Sequence, residues 1–403
     1  MSRKSTTRRG AKAQTATRRR SINQYITIAI IISLLLLAGY FALTGYDPLG
    51  LFTEAIPTQT TEAPPRVAGS SGWWEVYFTD PQHINDPQKL EGSIPEKLIS
   101  YINGARSTIH IAAFEFDLPV VADALIAAAQ RGVEVRWVTD DEHGIEADKE
   151  EGLELFPRME QAGIEVRDDG RGALMHNKFW IFDGNIVWTG STNVTVNCNF
   201  RNNNNVIVIH SPRAAAIFER EFDEMWAGQF GPTSPSTVDD QALVIDGTPI
   251  QILFASEDKV IDHLIPLVQS AQHSIRFMAF SFTHDGLQKA VLERARAGVD
   301  VRGIFETRGS ETEHSALRGL YCAGIPVLQD GNPGTFHHKV FVIDDQIVVT
   351  GSLNFSDNAD KSNDENTVVV TNRDIAARYL QEFERRWAEG EQPDPQKMAC
   401  RGK

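Results

Sequence analysis

The sequence predicts an α/β protein of two similar lobes, each a mostly parallel sheet covered by helices, preceded by one transmembrane helix. Three observations predict this. A spaced set of polar residues occurs twice, and both copies sit in the same succession of apolar strands and amphipathic helices. An uncharged run rich in Ile and Leu stands near the N-terminus.

Residues 1–23 form a basic arm, whose first twenty residues hold eight Lys or Arg and no acid. Residues 24–44 read as a membrane anchor, because the stretch from Tyr25 to Leu43 carries no charge and is long enough to cross a hydrocarbon layer of ~30 Å. The run is long for a signal peptide and no small-x-small cleavage site closely follows it, which favours an uncleaved anchor. Basic residues stay on the cytoplasmic side, so the N-terminus is expected in the cytoplasm and the two lobes outside it. Orientation is the favoured role of the arm over binding of anionic lipid or nucleic acid. Residues 45–72, rich in Thr, Pro, Gly and Ala, read as a flexible tether.

The first lobe is expected at 73–232. It runs through ARSTIHIAAFEF, a helix from Val120 to Arg131, and GVEVRWVTDD. The second, at 248–391, repeats this as AQHSIRFMAFSF, a helix from Leu287 to Ala297, and GVDVRGIFET. Each closes with a strand, NVIVIH or NTVVVT, and a helix ending near Trp226 or Trp387. Continuously apolar strands between amphipathic helices predict a mainly parallel sheet covered on both faces. A weakly patterned stretch, 231–247, separates the lobes, and the site is expected in the cleft between them.

His176, Lys178, Asp183, Gly190, Ser191 and Asn193 return as His337, Lys339, Asp344, Gly351, Ser352 and Asn354, both sets spaced H-x-K-x4-D-x6-G-S-x-N. Each His and its Lys start a strand, where positions i and i+2 share a face. An imidazole that attacks or donates a proton and a fixed cation therefore meet on one surface, as displacement at phosphorus requires. Asn193 and Asn354 add neutral donors, and Ser191 and Ser352 are candidate phosphate ligands. Asp183 and Asp344 each end a strand in a tight turn, so a structural role is assigned to them. Gly190 and Gly351 serve turn geometry or close backbone approach. Both motif asparagines also start an N-x-S/T sequon, a match read as coincidence. Neither H-E-x-x-H nor paired C-x-x-C is present, and no metal or cofactor is expected.

Over residues 73–391 the repeat resembles the phospholipase D superfamily, whose two "HKD" motifs meet across a pseudo-twofold axis in one phosphodiesterase site. The resemblance implies that His176 attacks phosphorus to give a phosphohistidine, while His337 protonates the leaving alcohol and then activates water. An alcohol in place of water would make a phosphatidyltransferase, as in the cardiolipin synthases of this superfamily. A Glu beyond the family's motif His often hydrogen-bonds that His; here Glu365 follows the second motif and Asn204 the first. On this pattern Glu365 pairs with His337, favouring an imidazolium acid, and His176 remains the neutral nucleophile.

Charge bears on the substrate. Taking the arm's eight charges from the net −15 leaves −23 on the rest of the chain, whereas proteins that hold nucleic acid without sequence preference use extended basic surfaces. A tether beside a bilayer raises the effective concentration of head groups. A phospholipid is the expected substrate; a nuclease of the same superfamily and a silent anchored scaffold are the alternatives. Cys198, Cys322 and Cys400 form no disulfide scaffold but leave room for one bridge.

Overall fold

Runs of β-branched and aromatic residues become strands where the repeat places them. β1 (Trp74–Phe78), β2 (Thr108–Ala113), β3 (Glu134–Thr139), β4 (Glu165–Asp168), β5 (Lys178–Phe182), β6 (Ile186–Gly190) and β7 (Asn205–His210) make one sheet, ordered β1-β7-β6-β5-β2-β3-β4. The second contains β8 (Ala242–Ile245), β9 (Thr248–Ala255), β10 (Ser274–Ala279), β11 (Asp300–Phe305), β12 (Val327–Gln329), β13 (Lys339–Ile343), β14 (Ile347–Gly351) and β15 (Glu365–Thr371). Its order, β12-β11-β10-β13-β14-β15-β9-β8, repeats the first with β8 added at one edge. This computed structural model describes residues 72–150 and 152–400; the basic arm, the expected anchor at 24–44 and the tether up to residue 71 lie outside them. Among the described residues no helix is long and apolar enough to cross a membrane.

The sheets are mixed, not mostly parallel. Only β2–β3–β4 and β10–β11–β12 run parallel; every other pairing is antiparallel. Two turns account for the antiparallel β5–β6 and β13–β14 pairs. Asp183-Gly184 and Asp344-Asp345 both adopt left-handed φ, between 50° and 60°, which is the two-residue geometry that closes a hairpin. The Asp183 carboxylate accepts the backbone N–H groups of Arg106, Ser107 and Thr108, and that of Asp344 accepts those of Gln272, His273 and Ser274. Each aspartate therefore ties its hairpin to the start of β2 or β10.

Burial on both faces gives the continuous apolar runs. In β5, Phe179 and Ile181 enter a core shared by the two lobes, while Trp180 and Phe182 enter the outer core of the first lobe. In β13, Val340 and Val342 enter the shared core and Phe341 and Ile343 the outer core of the second. The helices Pro212–Trp226 and Arg373–Glu389 contribute Phe218, Phe222, Tyr379 and Phe383 to the shared core. The lobes thus meet through a hydrophobic interior, whose burial at ~25 cal/mol per Å² holds the seam closed. Within the 231–247 stretch, β8 forms a hairpin with β9 at the sheet edge. A disulfide, Cys322–Cys400, fastens the C-terminal segment to the second lobe, and Cys198 is buried and unpaired.

Candidate active site

Each motif strand is stitched to the opposite lobe immediately before its lysine. The His176 N–H donates to Asp364 O (2.9 Å), and the His337 N–H donates to Asn203 O (2.9 Å). These bridges carry the chain that follows each motif past the histidine of the other lobe. Gly190 and Gly351 permit the close approach: a Cβ on them would lie 2.2 Å from Asn205 O and 2.1 Å from Asn366 O. At φ of 153° and 149° both also occupy backbone space that favours glycine.

The consequence corrects the pairing expected from the family pattern. Glu365 does not bond His337; its Oε2 lies 2.7 Å from Nδ1 of His176. His337 Nδ1 instead meets two carbonyl oxygens, Ser191 O and Asn204 Oδ1, each at 3.0 Å. Partners in sequence are exchanged in space, because both lobes send their post-motif residues across the seam. With acceptors on both Nδ1 atoms, each ring carries its proton there and leaves Nε2 for chemistry.

Lys178 and Lys339 are fixed alike. Each Nζ donates to its own histidine's backbone carbonyl at 2.8 Å. Each ammonium also lies over a phenyl ring, Lys178 5.0 Å from the centre of Phe114 and Lys339 4.7 Å from that of Phe280. The same rings stand edge-on to His176 and His337, at 4.8 and 4.9 Å. Sequence reasoning passed over these phenylalanines, although they occupy equivalent places in the repeated AAFEF and MAFSF.

Ser191 and Ser352 are fully buried, and their hydroxyls brace the segments that carry the histidines' partners. Ser191 donates to Asn204 Oδ1 (2.8 Å) and accepts from the Asn205 N–H. Ser352 accepts from the Asn366 N–H at 2.9 Å and reaches Asn366 O at 3.5 Å, bracing the backbone next to Glu365. Their contacts make them supports of the imidazole partners rather than the phosphate ligands expected from sequence. Asn193 donates to Glu115 Oε2 at 2.6 Å, while the buried Oδ1 atoms of Asn193 and Asn354 have no partner. Glu115, also missed in the sequence, corresponds to Ser281 in the repeat and has no acidic counterpart in the second lobe.

Burial dominates the electrostatics. Desolvation first, then the two lysines, hold both imidazoles well below their usual pKa. Burial brings Lys178 down to about 8 despite Glu365 and Glu115, and pushes Lys339 well below its ordinary value. It raises Glu365 to about 7 although Lys178 opposes this. Such a site favours neutral groups until an anion enters, and a bound phosphodiester supplies that charge. Among the described residues one set of carboxylates, Asp140, Asp141 and Asp169, converges closely enough to hold a cation. It includes no motif residue, and Asp140 already accepts the N–H groups of Glu142, His143 and Met175.

Residues 98–226 and 264–387, one segment in each lobe, match the family described as "Cardiolipin synthase, PLD-like domain". The chain belongs to this PLD-like family. It is 37% identical over 132 residues to a mitochondrial cardiolipin hydrolase of Xenopus tropicalis, covering 33% of this chain and 63% of that protein. It is 33% identical over 120 residues to a phospholipase D of Rickettsia prowazekii, covering 30% of this chain and 58% of that one. The match thus spans less than two thirds of these curated relatives. A phosphatidylserine synthase from Haemophilus influenzae superposes with a TM-score of 0.59 over 78% of this chain and 87% of its own, at 13% identity, a likeness of fold. This PLD-like member carries a motif histidine and lysine in each lobe, all four side chains buried along the seam.

Proposed function

We propose that the protein is a membrane-anchored phospholipase D-type phosphodiesterase that hydrolyses phospholipid, with cardiolipin-like lipids as the favoured substrates. The observation that carries this is the unequal pair of imidazoles at the seam, one backed by a carboxylate and one by neutral carbonyls. His176, its Nδ1–H held by Glu365, directs the Nε2 lone pair at phosphorus and becomes cationic as the P–N bond forms. Glu365 stabilises that cation. His337, whose Nε2 is protonated when the anionic diester binds, gives its proton to the leaving alkoxide as the P–O bond breaks. It then takes a proton from water, which attacks phosphorus, breaks the P–N bond and frees His176. An alcohol in place of water would yield a phosphatidyl-alcohol by the same steps. Lys178 and Lys339 offset charge on the non-bridging oxygens. The two segments that match the family, and relatives named cardiolipin hydrolase and phospholipase D, support the choice of lipid. The uncharged run near the N-terminus supports anchoring, with the catalytic region extracytoplasmic; a disulfide accords with that compartment.

The test is turnover by the full-length protein in EDTA on phosphatidylcholine vesicles containing cardiolipin, with and without ethanol. Phosphatidate, and phosphatidylethanol when ethanol is present, are the expected products, both lost in His176→Ala. Intact lipid alongside cleaved single-stranded DNA or RNA would overturn the lipid assignment in favour of a nuclease.

A further inference from the structure

A third imidazole stands at the site, and the repeated motif does not contain it. After β3 the chain makes a wide helical turn, Asp141–Glu146, capped by Asp140, whose Oδ1 accepts the His143 N–H at 2.8 Å and whose Oδ2 accepts the N–H of Met175, next to His176. Gly144 sits so close beneath the turn that a Cβ there would lie 2.1 Å from Thr139 Oγ1, which fixes where His143 emerges. Its ring packs on Phe114 with centroids 4.7 Å apart, the same phenyl that stands 4.8 Å from His176. His143 is exposed, and its imidazole has no hydrogen-bond partner among the described residues. Burial and the two lysines do most to depress the proton affinity of His176, and His143 adds to them, as its proximity requires.

The second lobe builds the same cap, with Gly309 at the place of His143 and Arg308 at that of Glu142. There Glu306 takes the part of Asp140: its carboxylate accepts the N–H of Phe336, next to His337, and that of Arg308 at 2.9 Å. The Arg308 guanidinium then turns back, bonding Glu306, Gly334 O and Thr335 Oγ1 in the loop that leads to His337. Arg308, although exposed, is occupied by bonds to the protein itself. His143, held by an equivalent cap, is left with both ring nitrogens available.

We infer that His143 contacts the substrate, donating a hydrogen bond to an ester or hydroxyl oxygen of the glycerol that stays attached to phosphorus in the first step. In-line attack fixes the side. The leaving alcohol departs opposite His176, toward His337, while the retained substituent projects sideways from the nucleophile, beside the phenyl wall on which His143 lies. His143 thereby selects for the retained alcohol, and the leaving group does not enter its selectivity. This assignment rests on the phosphodiesterase reading above.

The experiment compares wild type, His143→Gln and His143→Phe, full length, on cardiolipin in phosphatidylcholine vesicles, on a single-stranded oligonucleotide and on bis(p-nitrophenyl) phosphate. The last offers no hydroxyl, ester carbonyl or second phosphate. Phe keeps the packing against Phe114 and loses the donor; Gln keeps a donor and loses the ring. His143→Phe is expected to lower kcat/KM on cardiolipin roughly ten- to hundredfold, mostly through KM, with a loss on the small diester at least about tenfold smaller. His143→Gln should retain most of the cardiolipin activity. Equal losses on both substrates, the reverse order of Phe and Gln, or no loss at all would overturn the assignment. Wild type that cleaves only the oligonucleotide overturns the lipid reading and the glycerol contact with it. If the small diester alone is cleaved, both likewise fall.

Discussion

The two halves of the site share one backbone and differ most sharply in the partner of each motif imidazole. Around His176 and His337 the cross-lobe bridge, the lysine bonded to the histidine's own carbonyl, the phenyl wall and the glycine under the following chain are all repeated. The group on Nδ1 differs, the Glu365 carboxylate for His176 and the Asn204 amide with Ser191 O for His337. A duplicated scaffold is thereby polarised. A carboxylate stabilises the imidazolium that forms when a ring attacks, whereas neutral acceptors leave a ring ready to release its proton.

The largest expected effect breaks this comparison directly. His176→Ala should reduce turnover by more than about 10⁴-fold whatever the leaving group, since it removes the nitrogen that forms the P–N bond. His337→Ala should cost about 10²–10⁴ on a lipid alkoxide but far less on bis(p-nitrophenyl) phosphate, whose phenolate needs no proton to leave. Measuring kcat/KM for both variants on both substrates tests the roles. A loss for His337→Ala that is the same on both would remove it as the acid.

Next is the carboxylate. Glu365→Gln keeps an acceptor on His176 Nδ1 but removes the charge that balances the covalent intermediate, and should slow phosphohistidine formation by about 10²–10⁴. Rapid-quench trapping of labelled phosphate on the enzyme reads this step without the second. An unchanged burst rate would show that Glu365 only orients the ring.

How far the sequence revealed this polarity depends on the distance over which each signal acts. The spacing of His176, Lys178, Asp183 and Gly190 against their copies is local, so period-2 alternation and turn chemistry sufficed to locate the motif strands, the tight turns that end them and the face each His shares with its Lys. The pairing of Glu365 is not local. Asn204 and Glu365 occupy equivalent places in the two repeats, and only the bridges at Asp364 and Asn203 decide which histidine each one meets. The parallel sheet was misjudged for a related reason. Phe179 and Trp180 are apolar because two different cores lie on either side of β5, a fact about the seam that no window along one strand contains. His143 and Glu115 escaped notice because the repeat drew attention to what is shared, and these two residues lack a counterpart of the same type.

The same carboxylate affects stability. Burial holds Glu365 at about 7 in the folded protein against 4.5 for the ordinary carboxyl. The folded state therefore binds its proton more tightly than the unfolded state, and stability falls as pH rises through the window from 4.5 to about 7. The loss amounts to about 3 kcal/mol above that window. Glu365→Gln should remove it, so the variant gains on wild type in urea midpoint between pH 5 and pH 8 even as it loses activity. Parallel pH dependences for the two proteins would mean that the lysines already hold the carboxylate ionised.

The smallest effect sharpens the comparison by making the halves alike. Asn204 accepts from His337 and Ser191 through Oδ1 and donates to Cys198 O through Nδ2 at 2.8 Å. Asn204→Asp places a carboxylate on His337, in imitation of Glu365 on His176, at the cost of the bond to Cys198. A carboxylate within hydrogen-bond reach raises the imidazolium pKa, by about one unit or more. His337 acts in its protonated form, so the basic limb of the kcat/KM profile should move to higher pH by that amount. The plateau on lipid should fall a few-fold, because a weaker acid transfers its proton less readily. Bis(p-nitrophenyl) phosphate, which needs no proton on its leaving group, should show neither change. A limb that stays in place on the lipid would mean that His337 does not supply the proton and that the contrast between Glu365 and Asn204 serves another end.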